Sequence, residues 1–241
     1  MKKLKRLFVA VLLLPACYGV TLGLWEVLKY FKDVPEGSFY FLAGIASYFA
    51  FQWVFFRPIR TYVFGHELSH ALAAWLTGGK VKHFHVSKKG GYVTVSKSNF
   101  FVALAPYILP LYALIFVVVF FGVSYFYPVV RSYWRSFLWL LGGTLGFHMA
   151  LTAYALKQDQ PDLKATGKFL SAVIIYLGNT VSIVFLLGII FPHTVSWRRF
   201  ARISGREAVV AVKNVGQGIR ALPPLWGKVW MGRGRSSAAR N

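Results

Sequence analysis

Residues 64–80 read FGHELSHALAAWLTGGK. His66 and His70 are four residues apart, so on a helix both imidazoles project from one face about one turn apart, with Glu67 beside them. Two imidazoles so spaced can hold one metal ion, and the carboxylate can take a proton from a water that the ion has acidified. The stretch lies between long apolar runs. An unpaired ionisable residue at mid-membrane costs about 2.5–3.5 kcal/mol on insertion scales, and such residues usually serve a function.

The surroundings support that setting. Of 241 residues, 56% are hydrophobic, 18% aromatic and only 15% charged, which is a membrane protein's balance. Crossing a hydrocarbon core of ~30 Å takes about 20 helical residues. Runs of that kind fall at about 7–28, 39–56, 58–77, 100–127, 137–156 and 169–191. The expected architecture is an all-α integral membrane protein of about six transmembrane helices. Residues 1–192 form one polytopic unit and 193–241 a basic tail. In the fourth run, Pro106 and Pro110 kink a helix unless neighbours satisfy the carbonyls they free.

A formal charge of +21 would suggest nucleic acid as the partner of a soluble protein. Here the basic residues sit at span ends and in the tail, where membrane orientation explains them, and no nucleic-acid partner is expected. With six spans and the N-terminus inside, the cytoplasmic side collects Lys2, Lys3, Lys5, Arg6, Arg57, Arg60, Arg131, Arg135 and the tail. The opposite side receives Lys29, Lys32, the five lysines of residues 80–97, Lys157, Lys164 and Lys168. Both termini then face the cytoplasm, and a bacterial cytoplasmic membrane is the expected location. In the tail, apolar residues recur at 200, 203, 208, 211, 215, 219 and 222 while Arg198, Arg202, Lys213 and Arg220 stay polar. That pattern predicts an interfacial helix drawn to anionic lipid, with Trp226 and Trp230 at headgroup level.

Cys17 is the only cysteine, which excludes an internal disulfide and a cysteine-based zinc cluster. KKLKRLFVAVLLLPAC, residues 2–17, has the form of a secretory signal ending at a lipoprotein-type cleavage site. The apolar run continues through YGVTLGLWEVLKYF, residues 18–31, which favours an uncleaved first span.

GHELSHALAAWLTGG, followed by a short polar segment and FVALAPYILPL at 101–111, resembles the core of site-2-protease-type intramembrane zinc metalloproteases. The resemblance covers roughly residues 58–192. It implies zinc (Zn2+) held by His66 and His70, Glu67 as general base, and hydrolysis of a membrane-embedded protein substrate. Between the two motifs, GGKVKHFHVSKKGGYVTVS at 78–96 predicts a short hairpin turning at Lys-Lys-Gly-Gly. Its exposed edge suits an extended substrate, and His83 and His85 read as solvated strand residues.

The family commonly draws a third ligand from an Asp-Gly step, and this chain has none. His148 is the first candidate, because it falls at about the depth of His66 and His70 in the six spans. Asp162, in KQDQPDLKATG at 157–167, is the second, since those spans start it on the opposite side. Asp159 or a further water is the remaining option, and His193 has no assigned chemistry. The alternative to an endopeptidase is a non-proteolytic scaffold or transporter with a structural or inactive metal motif. Transporters often show internal repeats or paired broken helices, and neither is evident here.

Overall fold

The computed structural model describes residues 2–87 and 90–221. Its helices are α1 (Lys2–Lys29), α2 (Pro35–Val54), α3 (Ile59–Leu76), α4 (Phe100–Ile108), α5 (Leu111–Phe126), α6 (Trp134–Leu156), α7 (Pro161–Thr166), α8 (Lys168–Ile190) and α9 (Trp197–Ala221). Between α3 and α4 lies the expected antiparallel hairpin of β1 (Val81–Ser87) and β2 (Gly90–Val95). Lys88 and Lys89 of its turn fall outside the described residues. α1 continues unbroken through Cys17.

Among the described residues, three stretches are long and apolar enough to cross a membrane: Lys3–Asp33, Pro128–Leu156 and Lys168–Ile190. α4 and α5 qualify only together and are bent by 68°, which makes four if they form one broken span. The six expected spans are therefore not all found. α2 dilutes its apolar residues with Tyr48, Gln52 and Trp53, and α3 carries Arg60 and the His-Glu motif.

Side-chain pairings fix which helix ends lie together. α2 and α6 run parallel, with Gly37 on Leu138, the Phe41 carbonyl on Gly142 and Ile45 on Gly146. α1 and α8 also run parallel: Arg6 lies beside Gly167, Thr21 Oγ1 is 2.6 Å from the Tyr176 hydroxyl, and Phe31 meets Phe191 edge-on. One end of the bundle gathers residues 30–36, 127–135 and 191–199, tied by the Glu36–Arg135 ion pair and by Arg199 over the Tyr30 ring. The other, N-terminal end gathers residues 55–60, the hairpin and 154–168, with Arg57 over the Tyr154 ring and Gly91 sharing a cavity with Asp162.

The Tyr112 hydroxyl at the start of α5 reaches the Thr61 carbonyl at the start of α3, so the chain enters both helices from the same end and the segment between them makes no net crossing of the bundle. Strict alternation of six spans sets the hairpin opposite the N-terminus, and Arg135 opposite Glu36. The structure reverses both.

Glycines make the close crossings possible. An added Cβ on Gly142 would lie 2.0 Å from the Phe41 carbonyl oxygen, and one on Gly44 1.9 Å from that of Trp139. Small residues four apart let helix backbones approach in this way. α1 repeats the device, Gly19 and Gly23 receiving Phe200, Ser204 and Ala208 of α9. α9 therefore packs antiparallel along α1 and does not stand apart as an interfacial tail. Its amphipathic pattern is the expected one, with Phe200 buried and Arg198, Arg202 and Lys213 exposed, but Phe200 and Ala208 of its apolar stripe meet protein while Val215 stays exposed. Leu222 onward, with Trp226 and Trp230, lies outside the described residues.

Gly142→Ala is expected to lower stability by about 1–3 kcal/mol, because backbone must shift to admit the methyl. Gly122, with open space around its Cβ position, is the control. Equal thermal midpoints for the Gly142→Ala and Gly122→Ala proteins in detergent would contradict the crossing.

Candidate metal centre

α3 repeats a polar position once per turn, and Tyr62, His66 and His70 consequently lie on one face. His66 Nε2 lies 3.5 Å, and His70 Nε2 3.3 Å, from Asp162 Oδ2. One donor atom from each of the three residues lies within 4.8 Å of the others. Ligands bound about 2.0–2.2 Å from a tetrahedral zinc stand roughly 3.4 Å apart. The spacing therefore fits one such ion, and two imidazoles with one carboxylate are the donor types of an open, catalytic zinc site.

Each imidazole is held through its other nitrogen, which leaves Nε2 for the cluster. His66 Nδ1 is 3.2 Å from the Tyr62 hydroxyl, one turn earlier. His70 Nδ1–H donates to the Val102 carbonyl oxygen at 2.8 Å. In an unbroken α4 that oxygen would be taken by the N–H four residues on, but residue 106 is proline and has none. Pro106 thus releases the carbonyl that orients His70.

Asp162 sits in the first turn of α7, behind Pro161 at the helix start. The Tyr107 hydroxyl donates to its Oδ2 at 3.3 Å. Burial pushes the Asp162 carboxyl up, but the hydrogen bonds and charges of His66 and His70 outweigh it and hold the group well below the usual carboxylate range. Asp162 is therefore present as the anion that metal ligation requires.

Glu67 is buried beside these groups. β2 approaches so closely that a Cβ on Gly91 would be 3.0 Å from Glu67 Cγ. The edge of β2 thus borders a cavity of about 270 Å³ lined by His66, Glu67, His70, Tyr92, Val93 and Asp162.

Of the residues singled out by sequence, His66, Glu67, His70 and Asp162 come together and His148 does not join them. His148 Nε2 lies 2.9 Å from Asn179 Oδ1, in the bundle. The depth argument for His148 assumed that α3 crosses the membrane. Residues 59–111 instead bring the chain back to the end it left, so α7 lies at the motif's end and brings Asp162 with it. Asp159 is exposed and paired with Lys164 and Lys168. His83 and His85 are exposed on β1, as expected, and His193 is exposed after α8.

The sequence reading missed Tyr62, Val102, Tyr107 and Asn179. Tyr62 stands four before His66, and Val102 four before Pro106, so both were within reach of helical spacing. Tyr107 and Asn179 depend on tertiary contacts that no local pattern announces.

A family profile described as Peptidase M50B-like matches residues 39–231. The chain belongs to that family, the site-2-protease family. No curated protein and no solved structure shows a comparable match. The matched segment takes in the motif helix, the hairpin and α7. With several apolar helices, the membership marks an integral membrane protein of a peptidase family.

Pro106→Ala would restore an N–H that competes with His70 for the Val102 oxygen. Zinc affinity is expected to fall about tenfold, the lower range for losing such an outer partner. Unchanged affinity in a competitive zinc titration would remove Pro106 from the site's construction.

Proposed function

We propose that the protein is a zinc-dependent intramembrane endopeptidase acting on peptide bonds of membrane-embedded protein substrates. The observation that carries this reading is the convergence of His66, His70 and Asp162 beside the buried Glu67. Two helices distant in sequence supply one compact donor set, and an acid with no ion-pair partner among the described residues stands next to it.

Bound zinc would supply Lewis acidity, polarising the scissile carbonyl and acidifying a water. Glu67 takes the proton of that water and delivers it to the leaving amine nitrogen. Glu67 and Val93 line the same cavity, which sets the carboxylate beside the strand. β2 offers main-chain groups along the same cavity, so an extended substrate lies beside the strand and a helical span unwinds to reach it.

Basic residues assign the orientation. Lys2, Lys3, Lys5, Arg6, Arg57 and Arg60 at the N-terminal end already equal in number Lys29, Lys32, Arg131, Arg135, Arg198 and Arg199 at the far end, before the hairpin and residues 157–168 add more. The N-terminal end is therefore cytoplasmic by the positive-inside bias, in a bacterial cytoplasmic membrane. α9 returns the chain to that side, where its basic residues meet anionic lipid.

Glu67→Gln is expected to retain zinc and lose cleavage of a membrane-embedded reporter, since the amide keeps polarity and size but takes no proton. Zinc with no Glu67-dependent cleavage would identify a non-proteolytic scaffold. Asp162→Ala should lose zinc outright, whereas His148→Ala, which removes no ligand, should at most weaken binding about tenfold; outright loss in His148→Ala with zinc kept in Asp162→Ala would reassign the third ligand.

With Cys17 replaced, a single cysteine at Ser132 should label from outside intact cells and one at Ser87 should not. Labelling at 87 alone would invert the orientation.

A further inference from the structure

His148 and Asn179 lie inside the bundle, outside the three-residue donor set, and the hydrolytic steps assign them no task. Their hydrogen bonds lead to the end of α4. In a continuous helix the Tyr107 carbonyl would accept from the Leu111 N–H. At the Leu109-Pro110 break that N–H donates instead to the Leu109 oxygen at 2.8 Å. The stranded Tyr107 oxygen accepts from Asn179 Nδ2 at 2.6 Å.

The same amide is committed on every side. Asn179 Nδ2 also donates to the Ile175 oxygen at 2.9 Å, and Oδ1 accepts from His148 Nε2–H at 2.9 Å. With both functions of the amide engaged, its orientation is fixed. α6, through His148, and α8, through Asn179, therefore clamp the last turn of α4. That turn carries the Tyr107 side chain, whose hydroxyl donates to Asp162 Oδ2 and whose ring meets His66 edge-on at 5.2 Å.

We infer that His148 and Asn179 are positioning residues, which lock the Tyr107 carbonyl so that the Tyr107 hydroxyl orients Asp162 for the metal. The inference rests on the metalloprotease reading for its catalytic consequence, though its effect on metal geometry stands without it. Pro110 makes the clamp necessary: it breaks the helix that would otherwise hold Tyr107 and leaves a buried carbonyl without its local donor. An apolar residue at 179 would leave that oxygen unpaired and free the turn to rotate, which withdraws the hydroxyl from Asp162. Outer partners of metal ligands are worth about ten- to a hundredfold in affinity or activity.

The test uses the full chain in detergent, with Asn179→Leu, Tyr107→Phe, their double variant, His148→Leu and His148→Gln. Zinc affinity is measured by competitive titration, metal geometry by the visible spectrum of the cobalt-substituted protein, and turnover with the membrane-embedded reporter. Asn179→Leu should weaken zinc binding about tenfold, shift the cobalt bands and lower kcat with KM unchanged. Added to Tyr107→Phe it should have little further effect, because both act through one hydroxyl. His148→Gln, whose amide still donates to Asn179, should stay near wild type while His148→Leu follows Asn179→Leu. Unchanged zinc affinity and cobalt bands in Asn179→Leu, or effects that add in the double variant, would overturn the inference. If Asn179→Leu does not fold, the His148→Gln and His148→Leu pair decides. A wild-type protein that binds metal without cleaving would sink the protease reading, while the titration and the cobalt spectrum would still judge the clamp.

Discussion

A proline donates no hydrogen bond and does not fit a helix interior, and the site depends on each property in one place. Pro106 leaves the Val102 carbonyl without a helical partner, and the break at Pro110 leaves the Tyr107 carbonyl without one. Away from water an unsatisfied carbonyl costs about 1–3 kcal/mol, so each must find a donor from another element. Val102 finds His70, and Tyr107 finds Asn179. The two helix defects thus become two fixed points, one on a metal-ligand candidate and one on the tyrosine that contacts Asp162. Repairing either helix would free the groups it now holds.

This explains what sequence could and could not reveal. The His-Glu motif is a local, helical-period signal, the hairpin rests on β-branched residues around a glycine turn, and the prolines announce freed carbonyls. All three are visible in short windows, and the structure contains each. The partners of the freed carbonyls are not visible, because they come from α3 and α8. Asp162 was ranked below His148 by a global assumption, that each apolar run crosses the membrane and reverses the side of the next loop. α3 breaks the assumption, since its polar face is turned to α4 and α7 and the chain comes back to the end it left. One misplaced crossing moved every later loop, Asp162 among them, to the wrong side.

The tail shows a similar division between pattern and partner. Its amphipathicity is plain in the sequence, but a hydrophobic stripe does not say whether it will cover lipid or protein. Gly19 and Gly23 decide it for residues 200–208, by presenting a groove on α1 that Ser204 and Ala208 enter. The same spacing in Gly142 and Gly146 brings α6 against α2. Small residues four apart were legible in both helices; which helix would fill each groove was not.

On the proposed reading, water and an apolar chain must both reach Glu67, and the two need different routes. The cavity beside Glu67 is lined by polar groups, Ser98 and Gln160 as well as the donor cluster, at the N-terminal end of the bundle. A separate groove of about 440 Å³ between α2 and α6 is lined instead by Tyr48, Phe51, Tyr112, Trp139 and Phe147. Tyr112 and Phe147 also line a small pocket that holds His66 and His148, and the Tyr112 hydroxyl is tied to the Thr61 carbonyl at 2.6 Å. The aromatic pair therefore separates an apolar face from the donor cluster, while the polar cavity reaches that cluster from the end. Under the proposed hydrolysis, that partition gives water and an apolar chain separate approaches to Glu67.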